Sequence, residues 1–292
     1  MDALTIRSPA KINLTLRILG KRADGYHELQ TILHKISLYD EIELRLSSQP
    51  GIAVTIDDPT IPGDARNLAY QAAHAFLQSA RISTGVSIHI RKNIPVGAGL
   101  GGGSSNAAAV LKGLNKLLGC NLTNSSLKKL GVALGADVPF FVYPKNTARA
   151  GGIGDRLSPV TLERPLWFIV LYPGFSVATA WAYRHYKILT NKAKHIKVIN
   201  SIRDIHQVLP ILVNDLEQVV VEQYPEIQKI KNGLIKAGAY GSLMSGSGSS
   251  VFGIFPDEKR AKKALSKLAL SPHQRVFIVQ SEVDEHVIAP LS

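Results

Sequence analysis

The stretch GAGLGGGSSNA, from Gly97 to Ala107, has five glycines in seven positions, followed by two serines and an apolar pattern with helical spacing. Glycine loses more backbone freedom on folding than any other residue, so such a cluster indicates a specific backbone requirement. Bare N–H groups can crowd around an anion, and a helix that Ser104 or Ser105 caps would point its N-terminal dipole at the same place. The stretch therefore predicts a phosphate-binding loop. A tight glycine turn without a ligand is the alternative.

Two common phosphate-loop patterns match this stretch only in part. Gly97, Gly99 and Gly102 satisfy the dinucleotide pattern GxGxxG. That pattern needs an acidic residue about 20 residues later, and none occurs before Asp137. The pattern GxxxxGK[ST] fails as well, because Gly103 stands where the lysine is required. Both the dinucleotide fold and the nucleotide-triphosphatase P-loop are therefore excluded.

Charge and composition narrow the class of protein. The 292-residue chain has a formal net charge of +12, which favours anionic partners. No Asp or Glu occurs from Ala65 to Ala136, and Asp137 is the first acid after this window. Cys120 is the only cysteine, which excludes an intramolecular disulfide and a CxxC metal site. The apolar run Leu166–Tyr172 is too short to span a bilayer, and the N-terminal stretch has no secretory pattern, so we expect a soluble cytoplasmic protein.

Hydrophobic patterning predicts an α+β chain with a boundary in LSPVTLERP, residues 157–165. Before it we expect strands and helices in the following segments: strands in ALTIRSPAKINLTLRIL, HKISLYDEIELRLS, GVSIHIRKNIP and FFVY; helices in ARNLAYQAAHAFLQSA, from Ser104 or Ser105 to Leu118, and in SSLKKLGVALG. After it the order is strand, helices, two strands, helix and strand, which is typical of an open ferredoxin-like α+β sandwich.

Three segments occur in order along the chain: SPAKINLTL (Ser8–Leu16), PVGAGLGGGSSNAA (Pro95–Ala108) and GSLMSGSGSSVFGIF (Gly241–Phe255). They resemble the three motifs of the GHMP small-molecule kinases, the superfamily of galactokinase, homoserine kinase and mevalonate kinase. The resemblance implies a two-domain GHMP kinase fold, with an N-terminal α/β domain over residues 1–160 and a C-terminal ferredoxin-like α+β domain over residues 161–292. It also implies an active site in the cleft between the domains.

Two further segments, RADGYHELQT (Arg22–Thr31) and LGADVPFFV (Leu134–Val142), are similar to one branch of this superfamily. The resemblance implies ATP-dependent phosphorylation of the 2-hydroxyl of 4-diphosphocytidyl-2-C-methyl-D-erythritol, a step of the non-mevalonate route to isoprenoid precursors. The partners are then small molecules, ATP and a cytidine diphosphate-linked polyol, with no nucleic acid and no membrane. Two alternatives stay open: a GHMP kinase with a mevalonate, homoserine or sugar acceptor, and a basic nucleic-acid-binding protein.

The resemblance implies a catalytic pair, Lys11 and Asp137. A carboxylate close to the acceptor hydroxyl accepts its proton, and a nearby ammonium keeps that carboxylate ionised and stabilises the attacking oxygen. The bland alternatives are a helix N-cap for Asp137 and a surface lysine between strands for Lys11.

The same resemblance implies an ATP site. Asn67 and Lys92 are assigned to the adenine end. The alternative for Asn67 is an ordinary helix start, since it begins the segment NLAYQA. The phosphate end falls to the second and third motifs, at Pro95, Gly97, Ala98, Gly99, Leu100, Gly101, Gly102, Gly103, Ser104, Ser105, Gly246 and Ser247. Mg²⁺ is expected to neutralise the triphosphate. The sequence offers no carboxylate ligand for it, since Asp137 is assigned to catalysis and the acid-free window supplies none.

The acceptor site implied by the resemblance consists of Asn13, Tyr26, His27, Thr179 and Tyr183. Tyr26 would stack on the cytosine ring, His27 would bond its edge, and Tyr183 would close the other face. Without the family match, His27 is a solvated loop histidine and Tyr183 is a core aromatic on an amphipathic helix.

Overall fold

The computed structural model describes residues 3–186 and 199–282, which divide into two compact units. Unit 1 comprises Met1–Ala10, Leu38–Pro95 and Gly101–Pro144, and unit 2 comprises Lys11–Ser37, Val96–Leu100 and Lys145–Ser292. Two long strands, β1 (Ala3–Lys21) and β2 (His27–Ser47), contribute residues to both units. The domain boundary at residue 160 stays a prediction.

Unit 1 combines part of β1 and β2 with a helical layer. Its further elements are β3 (Gly51–Ile56), α1 (Leu68–Ala80), β4 (Gly85–Arg91), α2 (Gly102–Leu117), α3 (Asn124–Leu134) and α4 (Val138–Val142). Strand β4 pairs antiparallel with the second half of β2 and parallel with β3. Helices α1, α3 and α4 each pack against α2. Helix α2 is therefore the central helix of this unit, and its apolar face is fully buried from Ala107 to Leu111.

The N-cap of helix α2 lies three or four residues earlier than the sequence predicts. Its N-cap is Gly101, whose φ of 71° lies in the left-handed region that glycine tolerates, and no side chain caps it. Ser104 and Ser105 lie inside the first turns of the helix, so the prediction that one of them is the cap was wrong. The reason is that the glycine itself makes the sharp entry that a capping serine would otherwise stabilise.

Helix α4 replaces the strand predicted for FFVY. Residues Phe140–Val142 lie in this five-residue helix, which has Pro139 in its first turn. Proline is favoured there because its fixed φ suits a helix and its missing N–H has no intrahelical partner anyway. The run is apolar throughout because α4 packs between α2 and α3, and a short apolar run cannot by itself distinguish a buried helix from a strand.

Unit 2 contains the remaining elements. They are β5 (Thr147–Gly152), β6 (Arg156–Pro159), β7 (Thr161–Leu162), β8 (Trp167–Tyr172), α5 (Thr179–His185), β9 (Ser201–Ile202), α6 (Ile205–Val208), β10 (Val213–Asn214), α7 (Glu217–Gln223), α8 (Glu226–Ala237), β11 (Gly241–Met244), β12 (Val251–Phe255), α9 (Glu258–Leu265) and β13 (Arg275–Gln280). Strand β5 pairs antiparallel with the first half of β2, and β10 pairs parallel with β1.

The main sheet of unit 2 has the order β11-β12-β8-β13, and every neighbouring pair is antiparallel. In chain order its strands are second, third, first and fourth, which is the ferredoxin-like arrangement predicted from the sequence. Helices α8 and α9 pack on this sheet around a core that includes Ile169, Leu234 and Phe255. The fold class is α+β, as predicted. No helix within the described ranges is long and apolar enough to cross a membrane.

Candidate functional site

The glycine loop has a backbone that only glycine adopts easily. Gly97, Gly99 and Gly101 have φ values of 63°, 75° and 71°. A Cβ atom at Gly99 would lie 2.1 Å from the carbonyl oxygen of Ser245 and 3.0 Å from that of Gly248. Gly99 is therefore required twice, for its left-handed φ and for the close approach of the third motif.

The loop leads directly into the N-terminus of α2. Helical geometry leaves the N–H groups of Gly102, Gly103 and Ser104 without an intrahelical acceptor, whereas Ser105 N donates to Gly101 O at 2.9 Å. Ser104 is half-buried, but Ser105 is buried and its Oγ accepts a hydrogen bond from Ser8 Oγ at 2.8 Å. Three donors without an intrahelical acceptor thus coincide with the positive end of the helix dipole, an arrangement that is typical of anion sites.

Asp40 is a buried residue that the sequence analysis missed. Its side chain is fully inaccessible and forms an ion pair with Lys92 Nζ. Lys92 is the residue assigned by resemblance to the adenine end of ATP, and the structure places its ammonium in this interior pair. The available signal was the strand pattern Leu38, Asp40, Ile42, Leu44, in which one carboxylate interrupts a buried apolar face.

Lys11 is buried within β1, with only 4% of its surface exposed, so it is not a surface lysine between strands. Its Nζ donates to Asn13 Oδ1 at 2.7 Å. Asn13 in turn donates through Nδ2 to Thr31 Oγ1 at 2.8 Å, and Thr31 donates to Thr15 O. This chain of hydrogen bonds fixes the ammonium of Lys11 in one place.

The third motif forms a turn beside Lys11. Ser245 Oγ donates to Gly99 O at 3.0 Å, and Asn13 N donates to Ser245 Oγ at 3.3 Å. A Cβ atom on Gly246 would lie 3.1 Å from Lys11 Nζ, so a side chain at this position would crowd the ammonium. The second and third motifs thus meet at Gly99, and the first and third meet at Lys11.

Asn214 binds the backbone of this turn, and the sequence analysis did not identify it. Its Nδ2 donates to Met244 O at 2.8 Å and to Gly246 O at 2.7 Å, while its Oδ1 accepts from Leu216 N at 3.0 Å. Nothing in the segment VNDLE distinguishes this asparagine from an ordinary turn residue before the fold is known.

Asp137 stands at the N-cap position of α4, yet none of the described backbone N–H groups of that helix donates to its carboxylate. Its side chain therefore does not make the hydrogen bond of an ordinary helix N-cap. At the other end of α4, Lys112 Nζ donates to Phe141 O at 3.1 Å, and burial lowers the pKa of this lysine. Helix α2 thus ties down the helix that carries Asp137.

The aromatic residues predicted to bind the acceptor fall into two groups. Tyr26 is 60% exposed, whereas His27 stacks directly on Tyr183, with 5.2 Å between ring centroids. A base between two rings needs two gaps of about 3.5 Å, so the His27–Tyr183 pair leaves no room for a base between its rings. Burial and the neighbouring Lys21 ammonium lower the pKa of His27, which favours its neutral imidazole.

Two other predicted residues are engaged with protein groups. Thr179 begins α5, and its Oγ1 shares a hydrogen bond with Ser247 Oγ at 2.8 Å, which brings these two predictions together. Asn67 caps α1, since its Oδ1 accepts from Ala69 N at 2.9 Å and its Nδ2 donates to Pro62 O. Within the described part of the chain, no group of three or more His, Cys, Asp and Glu side chains could hold a metal ion.

Comparison with known proteins agrees with this arrangement of motifs. The chain matches the family model for the GHMP kinases N terminal domain over residues 67–145, and that for the GHMP kinases C terminal over residues 196–272. A curated relative from Geobacter sp. (strain M21), called 4-diphosphocytidyl-2-C-methyl-D-erythritol kinase, is 47% identical over 268 residues, covering 92% of this chain and 95% of the relative.

A relative of the same name from Geobacter metallireducens is 45% identical over 283 residues, covering 97% of this chain and all of the relative. Among solved structures, a 4-(cytidine 5'-diphospho)-2C-methyl-D-erythritol kinase superimposes with a TM-score of 0.80 at 34% identity. It covers 95% of this chain and 99% of that protein. Both likenesses extend over nearly the whole length of the chain.

Proposed function

Since this chain belongs to the 4-diphosphocytidyl-2-C-methyl-D-erythritol kinases, a family of the GHMP kinases, we propose that it phosphorylates the 2-hydroxyl of 4-diphosphocytidyl-2-C-methyl-D-erythritol with ATP. The enzyme is an ATP-dependent kinase with an alcohol acceptor. The observation that carries the proposal is the glycine loop. Three of its glycines have a left-handed φ, and they lead into the first turn of α2, whose N–H groups have no intrahelical acceptor. Family membership favours this function over another acceptor and over nucleic-acid binding.

For ATP, we assign the triphosphate to the loop and to the first turn of α2. The N–H groups of Gly102, Gly103 and Ser104 are donors of the kind that phosphate oxygens accept. The hydroxyl of Ser104 is the better candidate for phosphate, because that of Ser105 is bonded to Ser8 in the interior. As the family resemblance implies, we also assign Gly246 and Ser247 of the third motif to the triphosphate, and Asn67 to the adenine end.

Mg²⁺ is expected to arrive with ATP, held chiefly by the phosphates and water, as is usual for this ion. The residues present suit that mode, since the first turn of α2 offers the hydroxyl of Ser104. The ion supplies charge neutralisation of the triphosphate. Because ATP is made and used in the cytoplasm and the chain has one cysteine, we also propose a cytoplasmic location.

For the chemical step, we assign the general base to Asp137 and the stabilising cation to Lys11. The carboxylate accepts the proton of the 2-hydroxyl as the hydroxyl oxygen attacks the γ-phosphorus. The bond between the γ-phosphorus and the β,γ-bridging oxygen breaks, and ADP leaves with that oxygen. The ammonium of Lys11, held by Asn13 Oδ1 and close to Gly246, stabilises the negative charge that develops on the attacking oxygen. A fixed charge in a buried site acts strongly because little reorganisation accompanies the reaction.

For the acceptor, we assign stacking on the cytosine ring to Tyr26 and hydrogen bonding to its edge to His27, whose ring is supported by the stacked Tyr183. The neutral imidazole of His27 both donates and accepts, as the Watson–Crick edge of cytosine requires. Asn13 and Thr179 are assigned to the polyol and diphosphate parts of the same ligand.

The substrate is tested by ADP release from Mg-ATP with a panel of acceptors. We expect kcat/KM for 4-diphosphocytidyl-2-C-methyl-D-erythritol to exceed that for mevalonate or homoserine by more than about a hundredfold. Turnover of mevalonate or homoserine, with no turnover of the cytidine-linked acceptor, would refute the assignment.

The catalytic role is tested by Asp137→Asn, which should lower kcat by about 10²–10⁴ while ATP binds as before. Wild-type kcat in this variant would show that another group is the base.

A further inference from the structure

The Asp40 carboxylate is surrounded by four hydrogen-bond donors, although it lies wholly inside unit 1. Its Oδ1 accepts from the backbone N–H groups of Asn93 and Ile94, each at 2.8 Å. Its Oδ2 accepts from Lys92 Nζ and from Asn106 Nδ2, the latter at 2.9 Å. A carboxylate has about four lone-pair sites, so every site is used and the group is held in a single orientation.

These donors lie on both sides of the glycine loop. Asn93 and Ile94 immediately precede Pro95, and Asn106 follows Ser105, so eleven residues separate the two sets of donors. One carboxylate therefore joins the segment that enters the loop to the helix that leaves it. Closing the ends of a flexible segment removes conformational freedom before a ligand arrives, and pre-ordering of this kind strengthens binding.

Lys92 also contacts this network, next to the first turn of α2. Its Nζ also donates to Asn106 Oδ1 at 3.3 Å, and a Cβ atom on Gly102 would lie 3.2 Å from it. The ammonium thus supports the first turn of α2, where a cation alone would be unfavourable because the helix N-terminus is positive. Asp40 offsets that charge, so the ion pair adds no net charge beside the helix N-terminus.

We propose that Asp40 is a positioning residue for ATP, which acts by joining Asn93 and Ile94 to Asn106 and so holding the glycine loop in its phosphate-binding form. Asp40 is fully buried and acts through these neighbours. The inference rests on the proposed function, in that the loop binds the triphosphate of ATP. It extends that function by assigning to the strand β2 a role in nucleotide affinity.

The test compares two variants of one hydrogen-bond network. Asn106→Ala removes a donor to Asp40 and leaves no charge unpaired, because Lys92 and the two backbone N–H groups remain. Ser8→Ala is the matched control: Ser8 is equally buried and accepts from the same Asn106 Nδ2 at 3.0 Å, but it does not contact the carboxylate. The dissociation constant of a non-hydrolysable Mg-ATP analogue is measured by calorimetry, with the melting temperature of each variant recorded alongside.

We expect Asn106→Ala to weaken binding of the analogue about tenfold, the effect of losing one charge-assisted hydrogen bond. Ser8→Ala should bind within about twofold of wild type, although both variants melt at lower temperature. Asp40→Asn should weaken binding further if it folds. The inference is overturned if folded Asn106→Ala binds the analogue as wild type does, or if Ser8→Ala weakens binding equally. Because the measurement uses no acceptor, a wrong acceptor assignment leaves this result unaffected and is detected separately by ADP release.

Discussion

Gly99→Ala tests the claim that the glycine loop has one required backbone shape. The new methyl carbon would lie 2.1 Å from Ser245 O, more than 1 Å inside the ordinary C···O contact distance of about 3.3 Å. The obstructing atoms belong to the backbone of the third motif, so no side-chain rotation can relieve the overlap. The variant must also hold a φ of 75°, which costs an L-residue roughly 1–2 kcal/mol.

Together with about 1–3 kcal/mol for overpacking, the expected destabilisation is about 2–5 kcal/mol. For a chain of 292 residues that corresponds to a fall in melting temperature of about 3–8 °C. Gly103→Ala is the control, because its Cβ would meet only Leu68 Cδ1 at an ordinary 3.6 Å and its backbone is helical. We expect that variant to melt within about 2 °C of wild type or slightly above it.

Differential scanning calorimetry of the two variants, with and without a Mg-ATP analogue, measures both effects. Gly99→Ala should also lose most of the stabilisation that the analogue gives to wild type. Equal melting temperatures for Gly99→Ala and Gly103→Ala would refute the reasoning, since the two substitutions differ only in backbone conformation and in the atoms that the methyl group meets.

Three further substitutions test other parts of the site. Gly246→Ala places a methyl group 3.1 Å from Lys11 Nζ, so kcat should fall at least about tenfold with a smaller change in KM for ATP; an unchanged kcat would contradict the role of Lys11. Asn214→Ala removes two buried hydrogen bonds to the third motif, and chemical denaturation should show a loss of about 2–4 kcal/mol; a loss below about 1 kcal/mol would contradict this support. Lys112→Met tests the buried ammonium that holds α4. Because burial lowers the pKa of Lys112 below its usual 10.5, the unfolded chain binds that proton more tightly at alkaline pH. Wild type should therefore gain stability relative to Lys112→Met as pH rises toward 10.5. Melting temperatures of the two proteins that change in parallel from pH 7 to 10 would contradict this expectation.

Sequence patterns predicted those elements whose signal is local. The long strand β1, the helix α1 and the strand order of unit 2 follow from alternation, from 3.6-residue periodicity and from the order of elements. The error at FFVY has a physical cause, since a run buried on all sides has no periodicity and Pro139 is compatible with either a helix start or a strand edge.

Some residues of the candidate site can also be recognised from the sequence, whereas others can be recognised only in the folded chain. The glycine loop and Asp137 are visible in the sequence because glycine density and an isolated acid are local signals. Asp40 and Asn214 act on segments distant in sequence, 53 residues in the case of Asp40 and Asn93 and 32 in the case of Asn214 and Gly246. Such pairings depend on which strands and turns meet, and only the folded chain supplies that information.

The most direct test of the central claim follows the backbone amides of the glycine loop in a ¹⁵N-labelled protein as a non-hydrolysable Mg-ATP analogue is added. The account predicts that the N–H resonances of Gly102, Gly103 and Ser104 shift strongly with the concentration of the analogue and saturate together. Shifts should be weaker for AMP, which lacks the β- and γ-phosphates. Saturating analogue that leaves these three resonances in place, while it shifts amides elsewhere, would contradict the account.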